Sequence, residues 1–373
     1  MSSKTFLHID DARLKNNIKT TRAMSPNIMI MAVVKANAYG HDIAKASKAF
    51  EAAGVNWLGV ASVDEAITLR KEGITLPILA LSSIIESEIK TFLEHDISVS
   101  VFNLDLAVQI SKIAKELDIQ ANIHIKIDTG MNRFGFKPSH ESFDDILSIS
   151  KLENISVQGI FSHFATADSD DATFAKYQFN LFNDTVEKLS SLGLDIPIKH
   201  MANSAAFLGN GSFHLDMVRL GILLYGLPPC SSSKGELNLE KMGILPALSF
   251  KSHIAHVKDI KKDESIGYGQ NFVAKGDMKV ATLPLGYSDG VPRALSNRGN
   301  VLINGHKCPI VGNVCMNQMM VDVSGTNDAQ IGDEVILIGI QGGQSITPQD
   351  WAVDAGTINY EIVAAIPQHI PRH

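Results

Sequence analysis

Several short stretches of this chain place reactive side chains at the ends of apolar runs. Lys35 closes the run IMIMAVVKA and leads into Asn37, Tyr39, Gly40 and His41. An ammonium desolvated at the end of an apolar strand has a lowered pKa, and the free amine is the nucleophile that carbonyl condensation needs. The same lysine could instead snorkel out to water. In NIHIKIDTG, Lys126 and Asp128 share one strand face, and Thr129-Gly130 offers a turn leading to Arg133. Arginine grips a carboxylate with two parallel hydrogen bonds, although a structural ion pair within the segment is the plainer reading. His163 lies in FSHFATAD, His200 and Ser204 in PIKHMANSAA, and Arg219 with Gly221 and Ile222 in MVRLGILLYG. Buried histidines are often satisfied core groups, whereas a hydroxyl and loop N–H groups after late strands suit a phosphate. No Gly-x-Ser-x-Gly surrounds Ser204, which argues against a serine nucleophile. Among 13 histidines there is no His-Glu-x-x-His, and His253 and His256 have no obvious third ligand, so no metal site is expected.

The apolar runs begin near Ile28, Trp57, Pro77, Ile97, Asn122, Val157, Pro197 and Met217, with amphipathic segments such as LDLAVQISKIAKEL between most of them. Near-continuous apolar strands alternating with helices imply parallel strands covered on both faces. About eight in this span predict a closed (β/α)8 TIM barrel, whose reactive groups gather at the C-terminal ends of the strands. An open doubly wound sheet is the alternative, and no Gly-x-Gly-x-x-Gly follows the first run to support its dinucleotide-binding form. After PPCSSSKGE the segments become short and β-like, punctuated by Gly, Asn and Asp; TPQDWAVDAG alone reads as a properly started helix. The expected organisation is a barrel over 1–235 and a C-terminal, mainly β domain over 236–373.

The chain has 373 residues, 45% hydrophobic and 20% charged, which excludes a disordered composition. Its net charge of −7 argues against nucleic acid or an anionic membrane as partner. No apolar run reaches the roughly 18 residues of a spanning helix, and the opening MSSKTFLHIDD is unlike a secretory signal. Three cysteines without a Cys-x-x-Cys spacing suggest neither disulfides nor zinc. A cytoplasmic protein acting on a small molecule is expected.

AVVKANAYGHD resembles the lysine signature of alanine racemase, a pyridoxal phosphate-dependent family of fold type III. The resemblance continues in KIDTGMNRFGF, GIFSHFATAD, HMANSAA, MVRLGILLYG, SIGYGQNF, LPLGYSDGVPR, VGNVCMNQ and INYEIVAAIP. It implies a barrel, a C-terminal β domain and a homodimer whose active sites are shared between subunits. It further implies pyridoxal 5'-phosphate held by Lys35 as a Schiff base, with Lys35 exchanging the proton on the D-alanine side and Tyr268 of the partner subunit on the L-alanine side. Arg133 and the Met316 N–H would bind the substrate carboxylate. Tyr39, Ser204, Gly221, Ile222 and Tyr360 would contact the phosphate, and Arg219 would face the pyridine nitrogen. His163 would sit between Arg219 and Tyr268, and Lys126 would be carbamylated to orient Arg133. The implied role is D-alanine supply for peptidoglycan. The family commonly has Arg and Asp where this chain has Asn313 and Asn317, so a serine-tolerant or broader racemase is the alternative. A non-catalytic cofactor carrier resembles the barrel alone, and a decarboxylase would use a partner-chain Cys, for which Cys315 inside VCMNQ is the one candidate.

Overall fold

The computed structural model describes residues 5–229, 238–326 and 328–373. Two compact units divide it: a barrel unit, Leu14–Ala38 with Ile43–Leu245, and a β unit made of residues up to Arg13, Tyr39–Asp42 and Pro246–His373. The boundary expected between 235 and 236 lies outside the described residues.

Strand β1 (Phe6–Ile9) opens the chain, and the barrel follows. Its strands are β2 (Met29–Val33), β3 (Trp57–Val60), β4 (Ile78–Ala80), β5 (Ile97–Val101), β6 (Ala121–Lys126), β7 (Ile155–Phe161), β8 (Ile198–His200) and β9 (Met217–Leu220). They close into one parallel barrel, with β2 pairing β9 from Met29↔Met217 to Ala32↔Leu220. All eight apolar runs of the sequence thus become barrel strands. Every residue of β3, β4 and β5 is buried, the signature of a sheet covered on both faces. Met31, Trp57, Leu79 and Met217 pack together, with Ile198 against them, so the barrel is a packed core rather than a pore.

Local chemistry starts the helices between strands. Ser62, Asn103 and Ser139 each accept a backbone N–H from the first turn of Val63–Lys71, Leu104–Glu116 and His140–Ile149. Each such cap contributes about 1 kcal/mol. Helix Ile43–Ala52 ends before Gly54, which takes φ 82°.

The β unit holds β10 (Leu248–His253), β11 (His256–Ile260), β12 (Ser265–Ile266), β13 (Phe272–Val273), β14 (Met278–Leu283), β15 (Asn300–Ile303), β16 (His306–Pro309), β17 (Met319–Asp322), β18 (Glu334–Gln341) and β19 (Gln344–Ile346). One sheet runs β1-β10-β18-β15-β16 with β19 on β18, a second runs β11-β14-β17, and β12 pairs β13, all antiparallel. The strand Phe6–Ile9, absent from the sequence reading, therefore belongs to this sheet through its pairing with β10. Thr347 caps helix Pro348–Ala355 as the sequence suggested, and a second helix, Asn359–Ala364, follows it. Among the described residues no helix is long and apolar enough to cross a membrane.

Candidate active site

Lys35 stands two residues beyond β2, at the start of an unusual turn. Ala36, Asn37, Ala38 and Tyr39 all lie in the left-handed region, with φ of 53°, 53°, 55° and 51°. That conformation costs non-glycine residues roughly 1 kcal/mol or more apiece, so something must hold it. Glu65 does so from the first turn of its helix: Oε1 accepts the Ala36 N–H at 2.7 Å and Oε2 the Ala61 N–H at 2.8 Å. Asn37 Oδ1 accepts the Ile43 N–H at 2.8 Å, which pins the far side. Gly40 completes the turn at φ 78°, where a Cβ would lie 2.1 Å from the Val363 carbonyl oxygen. The turn leaves Lys35 half-buried. Its pKa is lowered by burial and then by Arg133, with Glu65 opposing and Arg219 adding to the fall. A lysine so placed reaches its neutral, nucleophilic form nearer neutrality.

On the neighbouring strand β9, Arg219 is buried and, among the described residues, has only uncharged acceptors. Its Nη2 donates to the Ser162 carbonyl at 2.7 Å, the Met201 carbonyl at 3.1 Å and His163 Nδ1 at 3.1 Å; Nη1 donates to His200 Nδ1 at 3.0 Å. Burial, helped by Arg133, pushes its pKa down to about 9. A guanidinium has no lone pair to offer, so His163 and His200 must both present unprotonated Nδ1 to it. Burial, then Arg219, lowers both imidazoles well below their usual range. Phe161 is the shared platform: His200 stacks on it at 4.8 Å, Arg219 Cζ lies 5.2 Å from its centroid and Lys126 Nζ 4.3 Å. Lys126 itself is buried, with no carboxylate in ion-pair range among the described residues. Desolvation, then Arg219 and Arg133, lowers its pKa well below the lysine value.

The loop after β6 explains why Asp128 does not pair with Lys126. Its Oδ1 accepts the Gly130 and Asn132 N–H groups, both at 3.0 Å, and so shapes the turn that carries the exposed Arg133. After β8, Asn203 caps the short helix Ser204–Gly209, and Ser204 Oγ accepts the Gly221 N–H at 3.0 Å. Ser204 and Gly221 thus face each other at the ends of the last two strands, with Ile222 opening the next turn.

The remaining expected residues belong to the β unit. Tyr39 and Tyr360 are ring neighbours, 6.1 Å apart. Tyr268 and Met316 line one open groove with Tyr287, Arg293, Asn313 and Asn317. Tyr268 is 76% exposed and Met316 56%, unusual values for large apolar-bodied side chains. Asn313 is buried and donates from Nδ2 to the Tyr268 carbonyl at 2.8 Å, while Asn317 Nδ2 donates to Ser288 Oγ at 2.7 Å.

The barrel unit therefore gathers Lys35, Lys126, Arg133, His163 and Arg219, whose charges shift one another's pKa values. Tyr268, Met316, Tyr39 and Tyr360 lie in the other unit. The motif reading missed three positioning residues. Glu65 carried no signal, since an acidic residue in a first helical turn is ordinary. Gln178, fully buried, accepts the Ala165 N–H and donates to the His163 carbonyl at 3.2 Å. His124, two residues before Lys126, was findable from the period-two alternation alone.

Comparison with known proteins gives a consistent result. The family model for the alanine racemase N-terminal domain matches residues 9–229, and that for the C-terminal domain residues 247–373. An alanine racemase of Methanococcus maripaludis is 43% identical over 373 residues, covering 100% of this chain and 99% of its own. One from Halothermothrix orenii is 40% identical over 369 residues, covering 99% and 96%. Among solved structures, an alanine racemase of Clostridium difficile superposes with a TM-score of 0.93 at 37% identity, covering 100% and 96%. That of Bacillus anthracis, solved with bound L-Ala-P, gives 0.91 at 33%, covering 100% and 95%.

Proposed function

The chain belongs to the alanine racemase family, an isomerase family, and we propose that it interconverts L- and D-alanine with pyridoxal 5'-phosphate through two bases on opposite faces of Cα. One observation carries the reading: a half-buried Lys35 amine of lowered pKa, in a barrel mouth shared with Lys126, Arg133 and Arg219, none of which has a carboxylate in ion-pair range among the described residues. The donor set suits the cofactor. An amine can condense with its aldehyde, and the surrounding positive charge favours a dianionic phosphate and a substrate carboxylate. When bound, the coenzyme supplies a sink for the electrons left at Cα.

In this reading Lys35 Nζ takes or returns the proton on the D-alanine face, and the phenol of Tyr268 of the partner subunit serves the L-alanine face. The exposed Tyr268, Met316 and Tyr287 support a second copy covering that groove. Arg133 binds the substrate carboxylate, with the Met316 N–H beside it. Lys126, its pKa lowered by burial, adds in its amine form to carbon dioxide; the N–C bond forms, one proton leaves, and the resulting anion fixes Arg133. Tyr39, Ser204, Gly221, Ile222 and Tyr360 would hold the phosphate. Arg219 would face the ring nitrogen, and His163, donating from Nε2, would polarise the tyrosine. The cellular role is D-alanine supply for peptidoglycan in the cytoplasm. The departures at Asn313 and Asn317 make serine the substrate to compare, by relative kcat/KM.

The deciding experiment is incubation with L-alanine in deuterated water. D-Alanine bearing deuterium at Cα is expected. Unchanged L-alanine with protium retained defeats the proposal.

A further inference from the structure

His124 lies fully buried in β6, on the same inward face as Lys126. Its ring meets Trp57 edge-on at 5.2 Å, and its Nδ1 is 2.9 Å from His200 Nε2. The backbone makes room for it. The pairing of β6 with β7 shifts register between Ile123 and His124, and the residue opposite His124 is Gly159. A Cβ on Gly159 would stand 2.3 Å from His124 Nδ1 and 2.5 Å from Cε1, closer than side chains can approach. Two departures from regular barrel geometry thus converge on seating one imidazole.

Its proton follows from what Arg219 can do. The guanidinium only donates, so the His200 Nδ1 it meets at 3.0 Å carries a lone pair. A neutral His200 then holds its single proton on Nε2 and donates to His124 Nδ1. His124 in turn is protonated on Nε2, which has no partner among the described residues. The opposite arrangement would set the His200 N–H against the guanidinium. Without an acceptor at His124, the buried Nε2–H of His200 would be unpaired, which costs about 1–3 kcal/mol and favours a turned ring or the other tautomer.

We propose that His124 is a positioning residue: by accepting the His200 Nε2 proton it fixes the only tautomer that Arg219 can use, and so fixes the guanidinium. The consequence for turnover rests on the racemase reading of Arg219; the proton order itself does not.

The test uses His124→Phe, which keeps a ring but removes the acceptor, and His124→Asn, whose Oδ1 takes the place of Nδ1. In ¹⁵N-histidine-labelled wild-type protein, His200 and His124 should both be Nε2–H tautomers. His124→Phe should lower kcat for alanine by about 10- to 100-fold, the range set by slight misplacement of a catalytic group. KM should change less than about threefold, because Arg133 and not Arg219 grips the substrate, and the visible band of the bound cofactor should shift. His124→Asn should recover kcat to within about threefold of wild type. A proton on Nδ1 of either histidine overturns the proposal, as does a His124→Phe enzyme with wild-type kcat and spectrum, or an Asn variant as impaired as Phe. If the Phe variant does not fold, the wild-type tautomers and the Asn variant still decide. A wild-type protein that makes no D-alanine sinks the racemase reading alone; wrong tautomers in an active enzyme sink this relay alone.

Discussion

Arg219→Lys keeps the charge of the buried group and changes its shape, which separates the two contributions. The guanidinium serves four acceptors from two nitrogens on opposite prongs, at 2.7 to 3.1 Å. A lysine ammonium is one nitrogen with three hydrogens on a shorter reach, so it cannot sit between the His200 and His163 rings and also meet both carbonyls. One or two acceptors must lose their donor in a site where Arg219 is only 4% exposed. At about 1–3 kcal/mol for each unpaired buried group, the loss should be about 1–6 kcal/mol. Urea unfolding is the assay, with a fall in midpoint and an unchanged slope attributing the effect to stability. The ammonium is also the more acidic cation and shares its proton more readily with a ring nitrogen. Pyruvate released per racemisation from alanine should therefore rise. A change below about 0.5 kcal/mol would refute the view that the fork geometry, rather than the charge, is what the two histidines and two carbonyls require.

Glu65→Gln should cost about 1–2 kcal/mol, because an amide can accept from only one of the Ala36 and Ala61 N–H groups. It should also lower the Lys35 pKa further, since Glu65 is the group that raises it; trapping of Lys35 by a carbonyl reagent against pH measures this, and an unmoved profile rejects the link. His124 titrates at about 3 in the fold, and His163 and His200 well below 6.5. Below pH 6.5 the unfolded chain binds more protons, so stability is lost as pH falls, by about 4 kcal/mol per pH unit for three histidines once the unfolded chain is charged. His124→Phe should remove about a third of that slope, and an unchanged slope would mean that His124 is charged in the fold. ¹³C-labelled bicarbonate should give a carbamate resonance that Lys126→Ala abolishes; if wild-type protein binds no such carbon, Lys126 stays a plain amine.

The barrel was legible because its signal is repeated and local: eight apolar runs, most of them followed by a segment of helical period, several with a capping residue. Phe6–Ile9 was not, because its reason for being a strand is Leu248–Ile9 pairing across most of the chain, and four residues of alternation carry little weight alone. The left-handed turn after Lys35 was hidden for a different reason. Ala36, Ala38 and Tyr39 do not favour positive φ, so only tertiary anchors such as Glu65 reveal why the chain bends there. Lys35, Lys126, Arg133 and Arg219 could be read as reactive types at strand ends. Their mutual influence could not, because it depends on which strands the closed barrel sets opposite one another.

The carboxylates near these cations are committed elsewhere. Asp128 spends an oxygen on two backbone N–H groups of its own turn, and Glu65 uses both oxygens on backbone. Burial, then the neighbouring arginines, lowers the pKa of Lys35, Lys126 and Arg219, and the opposing pull of Glu65 on Lys35 and of Asp128 on Lys126 does not offset it. An ordinary fold would avoid this arrangement, since unpaired buried charge is destabilising. The neighbouring His124, His163 and His200 do not relieve it, because desolvation favours their neutral forms and they offer only dipoles. Neutral acceptors hold a guanidinium in place without cancelling its field, whereas a carboxylate would do both. Around Arg219 a site built this way keeps its positive potential, and that favours an anionic group over a neutral one.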